Sequence, residues 1–334
     1  MAVAGGTFYD LAARARRRSR LLLLVAVIFT ALAGLTIGSA AWLVIKDTSS
    51  WTNGAVELPA MAALIGLALG LLAALFASSG AANAMILSSL RAREVAAAPT
   101  DEGERRLRNV VRELTIAGSL PEPKLYLISD EAINAMATGP SPERASIAVT
   151  TGALTALDRE ELAGVIAHEL AHVRNYDIRF GLYLSGVAAL FALLADLAFN
   201  ILRFAGRGGG RSNSKNGGGA LMLVVLVVAV ACGLLGSLGL LFIRAASSRS
   251  RELLADASAV ELTRNPNGLA RALTKIAHAA DQTVDTSSSG SAHLFFAEPR
   301  RAQASLLATH PLLLDRINAL RVLGGKQPLA EIGE

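Results

Sequence analysis

The sequence has a single cysteine, Cys232, among its 334 residues. One thiol excludes an intrachain disulfide and any zinc site built from several cysteines. Charged residues are also scarce, at 18% of the chain, whereas soluble domains carry about a quarter. Hydrophobic residues make up 52% and the mean hydropathy is +0.45. These values predict long uncharged segments, which ordinary soluble domains lack.

A nucleotide-binding motif is also missing. The glycine runs at 208–210 and 217–219 lack the G-x-x-x-x-G-K-[ST] context of a phosphate-binding loop, so we expect no nucleotide to be used. A net charge of +5 would suit nucleic acid, but only 5% of residues are aromatic and the basic residues cluster beside apolar runs. That distribution favours the lipid bilayer as partner, with no nucleic acid.

Four uncharged or nearly uncharged runs are long enough to cross a bilayer as helices. Basic residues precede the first run and follow the second, which predicts an integral, multi-pass protein of a bacterial-type inner membrane with both flanks in the cytoplasm. The third run contains Asp196, an intramembrane acid and so a functional candidate, although its place near the end of the run favours the interface. The runs span residues 21–45, 58–90, 181–202 and 220–243.

A basic, glycine-rich loop separates the last two runs, and the sequence alone does not decide whether they cross the membrane. The remaining polar segments predict a mainly α fold with a small β-sheet (α+β), in which 124–128 and 146–150 form strands. Four parts follow: residues 1–90 hold the first two runs, 91–179 and 244–334 form two halves of one domain, and 180–243 hold the last two runs.

A helix with clear start signals follows Asp158. Asp158 can cap the free amides, and Glu161 three residues later completes a capping box. Within this helix, His168 and His172 belong to the sequence H-E-L-A-H. They lie about 40° apart around the helix axis, so both imidazoles can reach one metal ion. Glu169, rotated by about 100°, is placed to take a proton from a water molecule beside that ion.

A catalytic zinc needs a third protein ligand and an open position. Because the extension H-x-x-G-x-x-H is absent after His172, this ligand must come from elsewhere. Glu252 is the best candidate, with Asp256 one turn later able to accept the outer N–H of a ligating histidine. A surface helix with ordinary charges explains the same spacing, so both interpretations stay open. Glu252 lies on the same side of the membrane as His172 if the two intervening apolar runs together make two crossings or none.

The chain resembles the HtpX-type membrane-integral zinc peptidases over nearly its whole length. The resemblance implies a gluzincin fold, ATP-independent endopeptidase activity, one Zn²⁺ per chain, and the clearing of damaged or misfolded membrane proteins. Its motifs are the two N-terminal runs, the segment from Ile133 to Gly139, H-E-L-A-H, two further runs, the segment from Arg251 to Asp256, and His310-Pro311 followed by Arg316-Ile317.

Residue roles are implied by the same resemblance. His168, His172 and Glu252 would bind zinc, Glu169 would act as the general base, and Asp256 would support a ligand.

The resemblance also implies a substrate cleft and a late histidine. His310 would stabilise the oxyanion, or would only begin a helix before Pro311. An edge strand in the cleft would pair with an extended peptide. The cleft residues would be Asn134, Ala135, Met136, Ala137, Thr138 and Gly139.

Two other functions remain open on the sequence. A prenyl-protein endopeptidase acting near C-terminal CAAX sequences has the same zinc residues but more membrane spans. A membrane scaffold or chaperone would bind apolar segments of membrane proteins or unfolded polypeptides without cutting them. The substrate and the oligomeric state are not indicated by the sequence.

Overall fold

The computed structural model describes residues 54–179, 181–183, 249–279 and 313–331, with isolated positions between 24 and 42 and between 195 and 230. His310 lies outside the described residues, and only Arg203 of the basic loop is described. The first, third and fourth apolar runs are described only at scattered positions. The chain divides into two compact units. One includes residues 79–182 and 242–334, and the other residues 20–78 and 183–241.

The described elements are helices with a small sheet, as the composition and the strand patterns predicted. The helices are α1 (Gly54–Ser79), α2 (Ala81–Ser89), α3 (Glu102–Gly118), α4 (Thr151–Ala156), α5 (Arg159–Arg174), α6 (Arg249–Thr263), α7 (Pro266–His278) and α8 (Leu313–Leu323). The strands are β1 (Arg93–Glu94), β2 (Lys124–Ile128), β3 (Ala135–Thr138) and β4 (Ser146–Thr150).

The four described strands form one mixed sheet in the order β1-β2-β4-β3. β2 and β4 are parallel, with Leu125 opposite Ile147, whereas β1 and β3 run antiparallel to their neighbours. β3 is therefore an edge strand within the described sheet, as the family resemblance implied for this segment. All four of its residues are nonetheless buried, because α5 packs beside it.

Helix α5 begins as its sequence predicts. The Asp158 carboxylate accepts from the backbone N–H of Glu161 at 2.9 Å, and the Glu161 carboxylate accepts from the N–H of Asp158 at 2.9 Å. This capping box satisfies two of the free amides at the helix start. Leu162, Val165 and Ile166 are buried in the core, which fixes the rotation of the helix.

Helices α5 and α7 approach each other closely at Gly164. A Cβ atom placed on Gly164 would lie 2.7 Å from the backbone nitrogen of Leu269, so no larger residue fits without moving a helix. The buried face of α7, including Leu273 and Ile276, packs in the same core. This contact sets the position of α5, which bears the two histidines of the candidate site.

The second apolar run is not one straight helix. It breaks at Gly80, whose φ of 87° is a conformation that residues with a side chain rarely adopt. Within the described residues, no single helix is long and apolar enough to cross a membrane. The segments Ala60–Phe76 and Ala81–Ser89, with a bend of 76° between them, are long and apolar enough to cross a membrane only when they are taken together.

The other unit is held by close backbone contact between helical segments. Thr30 is buried, and its hydroxyl donates to the carbonyl oxygen of Val27 at 2.7 Å. A Cβ atom on Gly66 would lie 2.3 Å from the carbonyl oxygen of Thr30. Glycine at position 66 is therefore required for this approach between α1 and the segment around Thr30.

Candidate metal centre

Two imidazoles on one face of α5 point at a common position. The Nε2 atoms of His168 and His172 are 3.2 Å apart, and the rings are nearly perpendicular, with centroids 4.8 Å apart. Both side chains are mostly buried. Because each ring presents Nε2 to the same space, its Nδ1 atom lies on the opposite side, where each ring contacts a carboxylate.

The third group comes from the following polar segment. Helix α6 places Glu252 with Oε2 3.5 Å from Nε2 of His168 and Oε1 3.6 Å from Nε2 of His172. One ligand atom from each of the three residues lies within 4.8 Å of the others. Zn–N and Zn–O bonds of about 2.0–2.2 Å in a tetrahedral site separate ligand atoms by roughly 3.3–3.6 Å. The closest atom pairs among the three residues are near this separation, so the three residues suit a zinc site that leaves one position open.

The outer nitrogen of His168 contacts a carboxylate, as the spacing of Glu252 and Asp256 suggested. His168 Nδ1 lies 2.8 Å from Oδ1 of Asp256. Arg316, on α8, donates two hydrogen bonds to the same carboxylate, from Nε to Oδ2 at 2.9 Å and from Nη2 to Oδ1 at 2.7 Å. Burial opposes ionisation of Asp256, but Arg316 and His168 outweigh it and hold the pKa of this carboxyl below its ordinary value.

The Arg316 side chain is completely buried, at 0% exposure. Its Nη1 atom also lies 3.8 Å from Oε2 of Glu252, so one guanidinium contacts both the zinc-ligand candidate and its neighbour Asp256. Arg316 belongs to a segment that resembles the HtpX-type family, but the sequence indicates no role for its side chain. Periodicity could not reveal it, because α8 meets α6 only in the folded chain.

The outer nitrogen of His172 also contacts a carboxylate. His172 Nδ1 lies 3.1 Å from Oδ2 of Asp177, which follows the end of α5. The chain reaches this position through Tyr176, which has a φ of 61°. A left-handed residue with a side chain interrupts helical periodicity, so the helical pattern of the sequence did not indicate the contact.

Glu169 lies beside the three ligand candidates and is buried, at 4% exposure. Burial raises the pKa of its carboxyl, and the neighbouring His168 and His172 oppose that shift. Glu252 raises the pKa further, while a hydrogen bond from the backbone of Ala137 lowers it. A carboxyl group with a raised pKa accepts a proton more readily, as a general base must.

Strand β3, which lies next to Glu169, has backbone groups that point away from its neighbour β4. Thr150 donates its N–H to the carbonyl oxygen of Asn134 at 3.1 Å, so Asn134 faces β4. In an antiparallel pair these directions alternate, and the polar backbone groups of Ala135 and Ala137 point away from β4. The Asn134 side chain accepts from the N–H of Ala135 at 3.0 Å.

The rest of the predicted cleft is placed by β3 and the turn after it. Met136 and Thr138 lie on β3 and are buried. Gly139 has a φ of 140°, and a Cβ atom there would lie 2.5 Å from the carbonyl oxygen of Arg144, so glycine is required. Asp196, which the sequence marks as an intramembrane acid, is exposed. The role of His310 stays a prediction, because this residue lies outside the described part of the chain.

Residues 101–323 match a protein family described as Peptidase family M48, and this match covers all three ligand candidates. The chain belongs to peptidase family M48. Membership makes it a metalloprotease and confirms the expected enzyme class. The specific metal is not fixed by the match.

Curated relatives of this M48 peptidase agree with the resemblance found in the sequence. A protein named Protease HtpX homolog from Listeria monocytogenes is 37% identical over 91% of this chain and 96% of its own length. Homologues of the same name occur in Ligilactobacillus salivarius, at 37% identity over 74% of this chain and 81% of the relative, and in Caldanaerobacter subterraneus, at 41% over 69% and 76%. The expected HtpX-type relationship is confirmed.

Among solved structures, Ste24p of S. mikatae aligns with 85% of the M48 chain and 61% of its own, at 17% identity and a TM-score of 0.43. This likeness is too low to support an inference about fold or function.

Replacing Arg316 tests the buried ion pair. Arg316→Ala would leave the Asp256 carboxylate without its two donors, and breaking a buried pair costs about 3–5 kcal/mol. We expect chemical denaturation of the metal-free protein in detergent to show a loss of this size, and a smaller loss for Arg316→Lys. Arg321→Ala, on the exposed side of α8, is the control and should change little. An unchanged free energy of unfolding in Arg316→Ala would contradict the assignment.

The protonation of His172 predicts how zinc binding depends on pH. Burial lowers the pKa of this imidazole, but the hydrogen bond to Asp177 and the charge of Glu252 outweigh it and raise the pKa to about 9. Below that pH a proton must leave before zinc binds, so the apparent affinity should rise by up to about tenfold per pH unit from about pH 6 to pH 9. Chelator competition across this interval measures it, and a pH-independent affinity would be inconsistent with the assigned ligand.

Proposed function

We propose that this M48 peptidase is a zinc endopeptidase of a bacterial-type inner membrane, with its active site facing the cytoplasm, that hydrolyses misfolded or damaged membrane proteins. The observation that supports the chemistry is the convergence of His168, His172 and Glu252 beside the buried carboxylate of Glu169. Three ligands leave a position for water or a substrate oxygen, whereas a purely structural zinc site is closed by four protein ligands.

Zinc is the metal that best suits these ligands. Two imidazole nitrogens and one carboxylate oxygen at tetrahedral spacing are a combination found in catalytic zinc sites of peptidases. Bound zinc would lower the pKa of a water molecule and polarise the scissile carbonyl.

Glu169 supplies the proton transfers in the proposed reaction. Its carboxylate takes the proton of the attacking water and later gives it to the amine that leaves. Burial raises its pKa, which favours uptake of the proton from the attacking water. His310 is proposed to stabilise negative charge on the carbonyl oxygen as the water attacks.

The segment from Asn134 to Gly139 is proposed to hold the substrate. The carbonyl oxygens of Ala135 and Ala137 face away from β4, toward the edge of β3 that has no partner strand within the described sheet. An extended peptide that adds to this edge would place a backbone amide against each carbonyl, next to Glu169. Such pairing depends on hydrogen bonds to the substrate backbone and not on the substrate side chains, and therefore suits a protease that acts on many unfolded sequences.

Membrane placement rests on the apolar runs and on the charges that flank them. Arginines precede the first run and follow the second, which favours the cytoplasm for both flanks. The peptidase residues follow the second run, so they would lie on the same side.

Replacing Glu169 tests the proposed chemistry. Glu169→Gln should bind zinc as the wild type does, but lose at least about 100-fold in kcat/KM because the general base is gone. Zinc content and hydrolysis of an unfolded membrane protein by the purified full chain measure the two properties. Glu160→Gln, at the exposed start of the same helix, is the matched control and should keep full activity.

Full activity in Glu169→Gln would refute the mechanism. Cleavage confined to prenylated CAAX peptides would favour a prenyl-protein endopeptidase instead. Substrate binding without any cleavage by the zinc-loaded wild type would favour a scaffold or chaperone.

The single native cysteine allows a direct test of orientation. In a Cys232→Ser background, Ile116→Cys places one thiol at a side chain that is 72% exposed on α3. A membrane-impermeant maleimide should label it in inverted vesicles and not in intact spheroplasts. Thr52→Cys, between the first two runs, should show the opposite pattern. Labelling of Ile116→Cys in intact spheroplasts would contradict the cytoplasmic orientation.

A further inference from the structure

His172 has its own orienting carboxylate, separate from the one that supports His168. Asp177 Oδ2 lies 3.1 Å from His172 Nδ1, and the other oxygen, Oδ1, lies 3.6 Å from Nη1 of Arg251. The Asp177 carboxylate thus has one oxygen toward the histidine and one toward a guanidinium. This arrangement repeats, at the second histidine, the order imidazole, carboxylate, guanidinium that His168, Asp256 and Arg316 form at the first.

We propose that Asp177 and Arg251 are positioning residues that fix the orientation and tautomer of His172 for metal binding. An imidazole that ligates through Nε2 must carry its proton on Nδ1, and an acceptor at Nδ1 selects that tautomer. Asp177 is the carboxylate at this atom, and Arg251 holds it from the opposite side. The inference rests on the proposed zinc site.

The backbone before Asp177 gives independent support. Tyr176 adopts a φ of 61°, in the left-handed region that disfavours residues with a side chain. Backbone outliers of this kind persist where the surrounding structure requires them. Here the turn at Asn175 and Tyr176 ends α5 and places Asp177 against Nδ1 of the His172 ring. A plain helical continuation would point residue 177 elsewhere.

Arg251 also belongs to the element that supplies the third ligand. It directly precedes Glu252 on α6, so the pair with Asp177 links the end of the α5 segment to the start of α6. The Asp177 side chain is 21% exposed and that of Arg251 is 15% exposed, whereas Arg316 is fully buried. Because partly exposed charges interact more weakly, the effect of Asp177 on zinc affinity should be smaller than that of Asp256.

The test uses the full-length protein in detergent and a Glu169→Gln background, which prevents self-cleavage. Zinc affinity is measured by chelator competition, and the visible spectrum of the Co²⁺-substituted protein reports the geometry of the ligands. Asp177→Ala should weaken zinc binding by about 10-fold or more, as loss of an outer partner of a ligating histidine does. It should also change the Co²⁺ spectrum. Asp177→Asn, which keeps an acceptor oxygen, should recover part of the affinity.

Arg251→Gln separates positioning from simple charge. Removing a cation near a bound Zn²⁺ would tighten zinc binding if only repulsion mattered. If Arg251 acts by holding Asp177, the same change should weaken binding by several-fold and add nothing to Asp177→Ala in the double variant. Glu261 lies on α6, as Arg251 does, and is an exposed partner of Arg174. Glu261→Ala is therefore the control and should alter neither readout.

Zinc affinity and a Co²⁺ spectrum equal to the wild type in Asp177→Ala would overturn the proposal. Tighter zinc binding in Arg251→Gln would overturn the role of the arginine. A loss of affinity accompanied by an equal loss of metal-free stability and an unchanged spectrum would also overturn it, because Asp177 would then only shape the helix end. Failure of the wild type to bind zinc is a different result, and would refute the proposed function itself.

Discussion

Three carboxylates, those of Glu169, Glu252 and Asp256, are buried around two imidazoles in this protein, and one buried guanidinium, that of Arg316, contacts two of them. Among the described residues of this cluster, negative charge therefore exceeds positive charge when all three carboxyls are ionised and both imidazoles are neutral, the state that binds a metal. An uncompensated buried charge is costly, and a divalent cation would restore the balance. The electrostatics and the ligand spacing thus favour the same occupant.

Holding this cluster together requires a rigid frame from distant parts of the chain. Gly164 allows α7 to pack directly against α5, and this contact fixes the position of the helix that bears His168 and His172. Arg316 joins α8 to α6 by its paired hydrogen bonds to Asp256, and so places Glu252 one turn earlier. The edge strand β3 packs on the same helix α5, which brings the backbone of Ala137 to Glu169. The three ligand candidates, the proposed base and the proposed substrate-binding strand are consequently all positioned by helix α5 and its neighbours.

The parts predictable from sequence were those encoded over one turn of helix or one strand. The capping box at Asp158, the pairing of His168 with His172, and β2 and β4 depend on near neighbours, so spacing alone indicated them. Glu252 needed an argument about the return of the chain across the apolar runs. Family membership and the HtpX-type relationship are confirmed, whereas the residue roles, the four-part division and the membrane topology remain predictions.

What sequence reasoning missed depends on tertiary contacts and on irregular backbone. Arg316 contributes through a contact between α8 and α6, which no local pattern encodes. Asp177 reaches His172 only because Tyr176 takes a left-handed conformation, whereas the sequence suggested no more than a helix exit. The hydropathy of the second apolar run predicts one segment, but Gly80 divides it, since the Ser/Gly-rich stretch cannot sustain a straight helix.

The central claim is that one zinc ion is bound by His168, His172 and Glu252. X-ray absorption at the zinc edge of the purified full chain tests it directly, together with the same measurement on Glu252→Ala. We predict one zinc per chain, with two imidazole nitrogens and carboxylate or water oxygens at about 2.0–2.2 Å, and loss of the carboxylate in the variant. A wild-type protein with no stoichiometric zinc, or a zinc without imidazole ligands, would contradict the account.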